Sequence, residues 1–179
     1  EAAARRAAAI GEWRKNNKGK ITISSMKGFD LPDADKKGGS GTSDPYFRAT
    51  VLAKKGEAKT PRGREKNDDG EPIFVRTTSL RDDRNPVWDE TLELEVPYDF
   101  VNGEMRVEVM DCDEIDDGMN EDDPLGGVDV EVGRGEEERL EYSGKFEQMI
   151  DGAGTLRAFR ISFKWEASFP PQPEGLGDE

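Results

Sequence analysis

Residues 105–113 read MRVEVMDCD, and this stretch joins the two patterns on which the fold depends. Apolar and charged residues alternate from Met105 to Val109, the period-two pattern of a strand with one buried and one solvated face. The strand then runs directly into Asp111 and Asp113. The stretch therefore predicts a half-buried β-strand that ends in a loop rich in carboxylates.

The same alternation recurs elsewhere in the chain, with no long helical segment between the repeats. The further predicted strands are residues 20–25, 47–51, 73–80, 88–96, 128–132, 140–147 and 159–165. One apolar face per strand favours two sheets that share a core over a barrel. The sequence thus predicts an all-β fold, an eight-stranded antiparallel β-sandwich.

The two ends of the chain differ from this central region. Residues 1–18, EAAARRAAAIGEWRKNNK, are Ala-rich and predict a helical linker. Residues 167–179, ASFPPQPEGLGDE, predict a disordered acidic tail rich in Pro and Gly. Residues 19–166 are left as one domain, which we expect to be part of a longer intracellular protein because the sequence shows no signal peptide.

Composition excludes several classes of function. The 179 residues carry a net charge of −14, which argues against binding nucleic acid. The absence of histidine removes His-dependent catalysis and His-ligated zinc, and a single cysteine excludes an internal disulfide. Paired carboxylates also occur in glycosidases, but so short a chain without an evident aromatic sugar platform is not expected to be an enzyme.

Carboxylates concentrate in a first acidic segment, residues 31–46, and a second acidic segment, residues 110–126. Between Asp111 and Asp123 there are eight acids and no base. Two like charges at about 4 Å repel by about 4 kcal/mol at an effective dielectric of about 20, so the charges must either stay apart in water or share a cation. Both interpretations remain open, and oxygen ligands without His or Cys would favour Ca²⁺ before Mg²⁺.

An EF-hand loop does not explain these acids. Counted from Asp111, the fifth position is Ile115 and the sixth is Asp116, where that loop needs Asp or Asn and then Gly. The flanking segments are also predicted strands rather than helices.

The sequence resembles the C2 domain of protein kinase C, the synaptotagmins and many membrane-trafficking proteins. The resemblance spans roughly residues 19–166 and rests on five motifs in the family's order. They are Leu31-Pro32-x-x-Asp35, Gly41-Thr42-Ser43-Asp44-Pro45-Tyr46, Asn85-Pro86-Val87-Trp88-Asp89-Glu90, Val109-x-Asp111-x-Asp113 and Asp122-Asp123-Pro124-Leu125-Gly126.

The resemblance implies a Greek-key β-sandwich with a calcium site at one end, holding two or three Ca²⁺ ions. The implied metal ligands are Asp35, Asp44, Asp111, Asp113 and Asp123. Asp33 or Asp122 could replace a neighbouring ligand, because both segments carry insertions. The order of the strands also looks like the circularly permuted form of the family.

The resemblance further implies docking to anionic phospholipid membranes at the cytoplasmic side. Ile115 and Met119 are the apolar candidates for membrane contact, although both could instead fold back onto the sandwich. Residues 30–44 and 111–123 together carry −10, so even three Ca²⁺ ions leave the tip at −4. A Ca²⁺-regulated or structural domain that binds a protein and no lipid is therefore the alternative.

Bases concentrate in residues 54–66, which carry a net charge of +4. They could balance an acidic protein, or they could bind phosphoinositide headgroups or an acidic protein together with Arg76. The candidates for such a basic patch are Lys54, Lys55, Lys59, Arg62, Arg64 and Arg76.

Overall fold

The computed structural model describes residues 1–31, 44–60, 62–81, 83–112, 123–134, 139–150 and 156–171. Of residues 123, 139–140, 145–150 and 156–158 it describes the backbone alone. The helix and strands are α1 (Ala2–Asn16), β1 (Gly19–Phe29), β2 (Pro45–Ala53), β3 (Phe74–Arg76), β4 (Val87–Trp88), β5 (Leu92–Val96), β6 (Glu104–Asp111), β7 (Asp123–Glu131), β8 (Arg139–Ile150) and β9 (Leu156–Ser168).

The strands form two antiparallel sheets, as the alternation predicts. In sheet A the order is β4-β1-β9-β8, with β5 also paired to β1, and in sheet B it is β3-β2-β6-β7. The chain crosses from one sheet to the other after β1, β3, β5 and β7. This is the predicted all-β sandwich with one short N-terminal helix.

The predicted strand 88–96 is divided in two. Trp88 of β4 pairs with Met26, whereas β5 pairs with the first residues of β1, from Gly19 to Ile23. Both pieces lie along the same edge of β1, because β9 occupies its other edge. The described chain thus has nine strands in eight strand positions.

One core lies between the sheets and joins them through aromatic contacts. Phe47 of sheet B packs edge-on against Trp88 and Phe163 of sheet A, with ring centroids 6.0 and 5.4 Å apart. All three side chains are almost completely buried. Burial of a large apolar side chain contributes about 1.5–3 kcal/mol, so these contacts fix the sheets against each other.

A bulge in β1 changes which side chains face outwards. Ser25 has φ of 53°, and the register with β9 shifts between Ser24 and Lys27. Ile23 is buried before the bulge and Met26 is buried after it, so the inward phase moves by one residue. As a result Phe29 lies on the outer face of sheet A.

Helix α1 contacts the sandwich at Tyr98 through two neighbouring residues of its last turn. Trp13 packs edge-on against Tyr98 at 5.4 Å, and the guanidinium of Arg14 lies 5.1 Å from the same ring centroid. The helix ends before Asn17, whose side-chain amide donates to the carbonyl of Trp13 at 2.8 Å. No helix in the described ranges has the length and hydropathy needed to span a membrane.

Ordered structure extends further at the C-terminus than the predicted domain boundary. Strand β9 ends at Ser168, Ala167 is buried, and Phe169 packs against the core. These residues continue the alternation of the preceding strand, which the prediction of a tail from residue 167 overlooked. Residues 172–179 of that tail lie outside the described residues.

Candidate metal and membrane site

Three of the five predicted ligands lie at one edge of sheet B. Strand β2 begins at Pro45, directly after Asp44, and Pro45 is the register partner of Asp111 at the end of β6. Asp111 is in turn the register partner of Asp123 at the start of β7. We call these three residues the aspartate edge. Register partners in antiparallel strands have Cα atoms about 4.5–5.5 Å apart, so the antiparallel order alone brings the residues together.

Two hydrogen bonds tie Asp44 to the end of β6. The backbone amide of Asp44 donates to Oδ1 of Asp111 at 2.8 Å, and the amide of Cys112 donates to the carbonyl of Asp44 at 2.9 Å. The carboxylate of Asp111 is 2% exposed. These bonds hold the end of the first acidic segment against the beginning of the second.

The other end of the first acidic segment is also anchored. Leu31 is fully buried in the core, and its amide donates to the carbonyl of Arg84 at 2.8 Å. The Arg84 side chain reaches back, with Nε 3.2 Å from the carbonyl of Leu31 and a terminal nitrogen 2.7 Å from Asp30 Oδ1. The side chain of Asn85 accepts from the amide of Asp30, which has a φ of 56°.

Trp88 connects this anchor to sheet B. Its indole Nε1 donates to the carbonyl of Pro45 at 3.3 Å, across the core from sheet A. No pattern in the sequence assigns Arg84 or the Trp88 nitrogen a role at the site. The motif from Asn85 to Glu90 is the sequence feature that could have pointed to this anchor, because it places a polar turn beside a tryptophan.

The residues present fit a hard divalent cation. Their donors are oxygen atoms, and a buried carboxylate beside further aspartates is stable only where other groups offset its charge. Asp35 and Asp113, together with Asp33 and Asp122, lie outside the described residues, as does the side chain of Asp123. Among the described side chains, no three of the types His, Cys, Asp and Glu form a group that could hold a metal ion.

The candidates for membrane contact, Ile115 and Met119, also lie outside the described residues. Their role stays a prediction.

Three of the six bases predicted as a patch contact acids. Lys54 pairs with Asp99 at 3.2 Å, and Arg64 pairs with Glu57 at 3.2 Å. Lys59 contacts Glu104 and, at 3.3 Å, Asp129. These ion pairs favour the interpretation that the basic segment balances acids of the same domain.

The lysine pKa values agree with this pairing. Partial burial of Lys54 opposes its charge, but the hydrogen bond and the attraction of Asp99 outweigh burial and raise its pKa above the ordinary value. Hydrogen bonds to Glu104 and Asp129 likewise raise the pKa of Lys59. Both ammonium groups therefore stay charged at neutral pH.

The remaining bases do not gather into one pocket. Lys55 and Arg62 are exposed. The guanidinium of Arg76 lies 3.5 Å from the ring centroid of Tyr46, and it donates to the Thr77 carbonyl and the Ser79 hydroxyl, each at 3.0 Å. Binding of a headgroup by these residues stays a prediction.

Comparison with known proteins agrees with the fold and the motifs. A family model, described as the C2 domain, matches residues 19–147. The chain belongs to the C2 domain family. No curated protein sequence matches the chain.

Several solved structures share the fold. One is a human GIVD cytosolic phospholipase A2 in complex with methyl gamma-linolenyl fluorophosphonate, with 15% identity, a TM-score of 0.55, and coverage of 86% of this chain and 17% of that one. Another is the calcium-bound pair of C2A and C2B domains of Extended-Synaptotagmin 2, with 20% identity, a TM-score of 0.55, and coverage of 84% and 46%. A third, described as a C2 domain, has 17% identity, a TM-score of 0.52, and coverage of 84% and 98%. The chain thus spans only about a sixth of the phospholipase that it resembles.

Proposed function

We propose that this chain is a Ca²⁺-dependent module that docks a larger trafficking or signalling protein onto anionic phospholipid membranes. The observation that carries the proposal is the aspartate edge, where Asp44, Asp111 and Asp123 meet at the ends of three neighbouring strands. In this proposal Asp35 and Asp113 complete the ligand set, and two or three Ca²⁺ ions bind. We further propose that the domain itself has no catalytic activity and acts at the cytoplasmic face of membranes.

The physical role of Ca²⁺ would be to offset the repulsion between the acidic segments and the lipid phosphates. Residues 30–44 and 111–123 together carry −10, and this charge opposes the approach of lipid phosphates. Bound Ca²⁺ neutralises part of that charge and can accept phosphate oxygens as further ligands. The protein's own contribution is to hold Asp111 in a buried, hydrogen-bonded position.

A second function is favoured by the charge of the same region. With two or three Ca²⁺ ions the tip still carries −6 or −4, which weakens long-range attraction to an anionic membrane. The alternative is a domain in which Ca²⁺ is structural or regulatory and the partner is a protein.

Sedimentation with vesicles separates these two functions. The test compares phosphatidylcholine vesicles with and without phosphatidylserine, each in Ca²⁺ and in a chelator. The proposal predicts that the chain pellets only with phosphatidylserine and Ca²⁺ together. The variant Asp44→Asn/Asp111→Asn should stay in the supernatant. A matched control is Glu95→Gln/Glu131→Gln, which removes two exposed acids at the ends of β5 and β7 that lie away from the aspartate edge. This control should pellet like the wild type.

If the wild-type chain fails to pellet under every condition but still binds Ca²⁺, the protein-binding alternative replaces lipid docking.

A further inference from the structure

Two exposed apolar side chains lie next to each other on the outer face of sheet A. Phe29 is 38% exposed and Val87 is 58% exposed, and they are two of the four large apolar side chains that are exposed in the described part of the chain. Val87 is the register partner of Lys27, two residues before Phe29 on the same face of β1. Phe29 and Val87 are thus diagonal neighbours, within reach of each other's side chains.

Two bases border these apolar residues. Phe29 is the register partner of Arg160 on β9, and the Arg160 guanidinium lies 5.4 Å from the Phe29 ring centroid. Lys27 lies between Val87 on β4 and Ser162 on β9. We call Lys27, Phe29, Val87 and Arg160 the shoulder patch. Within the described residues, neither of its bases forms an ion pair with a carboxylate.

The rest of the same face, from Ser24 back to Gly19 along β1, has a different character. Lys20 pairs with Glu93 at 3.1 Å, and Lys164 pairs with Glu141 at 3.5 Å. Glu95 and Glu166 add two more acids there. Among the described side chains, the outer face of sheet A therefore has paired charges over most of its length, and has bases without a carboxylate partner beside apolar groups at the end near the acidic segments.

The shoulder patch continues directly into the proposed membrane-binding end. Phe29 is followed by Asp30, whose carboxylate is paired with Arg84, and then by the buried Leu31 at the root of the first acidic segment. Val87 follows Pro86, whose carbonyl accepts from the amide of Gly28. The acid nearest to Val87 in the sequence is Asp89, directly after β4, and it lies on the side of Val87 away from Asp30.

We propose that the shoulder patch is a second membrane contact, which binds the anionic surface of a bilayer when Ca²⁺ has brought the tip to it. Exposed apolar side chains bordered by bases are the arrangement that stabilises a protein at the boundary between headgroups and acyl chains. The patch supplies the positive charge that the tip lacks, and it tilts the domain so that sheet A faces the membrane. This inference rests on the proposed function, because the patch alone has only two bases.

The test is binding of the full chain, in Ca²⁺, to phosphatidylcholine vesicles that contain phosphatidylserine. The variant Lys27→Gln/Arg160→Gln should bind about tenfold more weakly or worse, since each base near an anionic surface contributes about fivefold. The variant Phe29→Gln/Val87→Gln should also bind about tenfold more weakly, because it removes apolar area from the contact. Far-ultraviolet circular dichroism and Ca²⁺ titration should show both variants folded and loaded like the wild type.

The matched control is Lys20→Gln/Lys164→Gln, which makes the same change in net charge on the same face but outside the shoulder patch, at two lysines that are each paired with a glutamate. It should bind within about twofold of the wild type, since the two lysines lie away from the proposed contact. Equal weakening of Lys27→Gln/Arg160→Gln and this control would overturn the patch and leave Ca²⁺-dependent docking intact. Failure of the wild type to bind would overturn both proposals.

A direct reporter separates contact from an indirect effect on the tip. Phe29→Trp should be quenched by brominated phosphatidylcholine mixed with phosphatidylserine, whereas Thr22→Trp, on the same face of β1 nearer the far end, should not. Equal quenching of the two variants contradicts the proposal, as does the absence of quenching at Phe29→Trp. If an acidic protein partner changes the fluorescence of the Phe29→Trp variant and lipid does not, the patch binds protein instead of a membrane.

Discussion

The backbone amide of Asp44 donates a hydrogen bond to Oδ1 of Asp111 at 2.8 Å, and so joins the ends of two acidic segments that are 67 residues apart in the chain. Asp111 is 2% exposed, and the register of β6 with β7 brings Asp123 opposite it. The arrangement gathers negative charge where the sheet ends. Its cost in repulsion is what a divalent cation would remove.

The Trp88→Phe substitution should destabilise the domain by about 2–3 kcal/mol. The indole is 2% exposed, and its Nε1 donates to the carbonyl of Pro45, so phenylalanine loses both buried volume and a hydrogen bond. Urea unfolding measures the effect. The control Trp13→Phe, on helix α1, should cost about 1 kcal/mol or less, and equal losses for the two variants would contradict the role given to Trp88.

The Arg84→Met substitution should loosen the root of the first acidic segment. It removes the side-chain bonds to the Leu31 carbonyl and to Asp30, and leaves the backbone bond from Leu31 to residue 84. We expect a loss of about 1 kcal/mol in stability and Ca²⁺ affinity lower by about fivefold. Thermal unfolding and Ca²⁺ titration measure the two effects.

The control for that substitution is Arg81→Met, an exposed arginine three residues earlier. It should leave Ca²⁺ affinity unchanged. Similar affinities for Arg84→Met and the wild type would show that the Arg84 side chain does not help to position the segment.

The Glu65→Gln substitution should stabilise the domain at neutral pH. Burial raises the pKa of Glu65 above 4.5; attraction to Lys54 opposes the shift, and a hydrogen bond and repulsion from Glu57 add to it. When the pKa of a carboxyl is higher in the folded state than in the unfolded state, its protonated form stabilises the fold. This stabilisation is complete at a pH below the unfolded-state pKa, and it is lost as the pH rises through the folded-state pKa. The charged form at pH 7 therefore opposes folding, by about 0.5 kcal/mol or less because the group is largely solvated.

Thermal unfolding between pH 3 and pH 8 tests this sign. The melting temperature of Glu65→Gln should exceed that of the wild type at pH 7, and the difference should vanish below about pH 4. The control Glu71→Gln, an exposed glutamate, should show no such trend. A difference that grows as the pH falls would contradict the direction of the shift.

Much of the fold follows from the period of the sequence, because each strand has one buried face. Strands β6 and β9 lie where alternating valines and aromatics predict them. The predicted strand 73–80 is shorter in the structure, where β3 ends at Arg76. Beyond Arg76 the amides of Thr77 and Leu80 still donate to the carbonyls of Phe47 and Pro45, but the amide of Phe47 donates to the Thr77 hydroxyl. A side-chain acceptor thus interrupts the regular ladder, and a pattern of hydrophobicity does not reveal it.

The proximity of the two acidic segments could be predicted from the sequence, whereas their role as a metal site stays a prediction. Asp44 directly precedes one strand and Asp111 ends another, and the structure joins them by the hydrogen bond from the Asp44 amide to Asp111. The shoulder patch could not be predicted, because the positive φ of Ser25 moves Phe29 to the outer face. A pairing such as Arg84 with Asp30 is a tertiary contact that has no local signal.

Calorimetric titration with Ca²⁺ shows whether the aspartate edge binds a divalent cation. The compared chains are the wild type, Asp44→Asn/Asp111→Asn and the control Glu95→Gln/Glu131→Gln. Asparagine keeps the Oδ1 acceptor for the amide of Asp44, so the double variant removes charge while the hydrogen bond remains. We expect saturable heats for the wild type and the control, and their loss in the double variant. Indistinguishable heats for all three chains would show that the aspartate edge does not bind Ca²⁺.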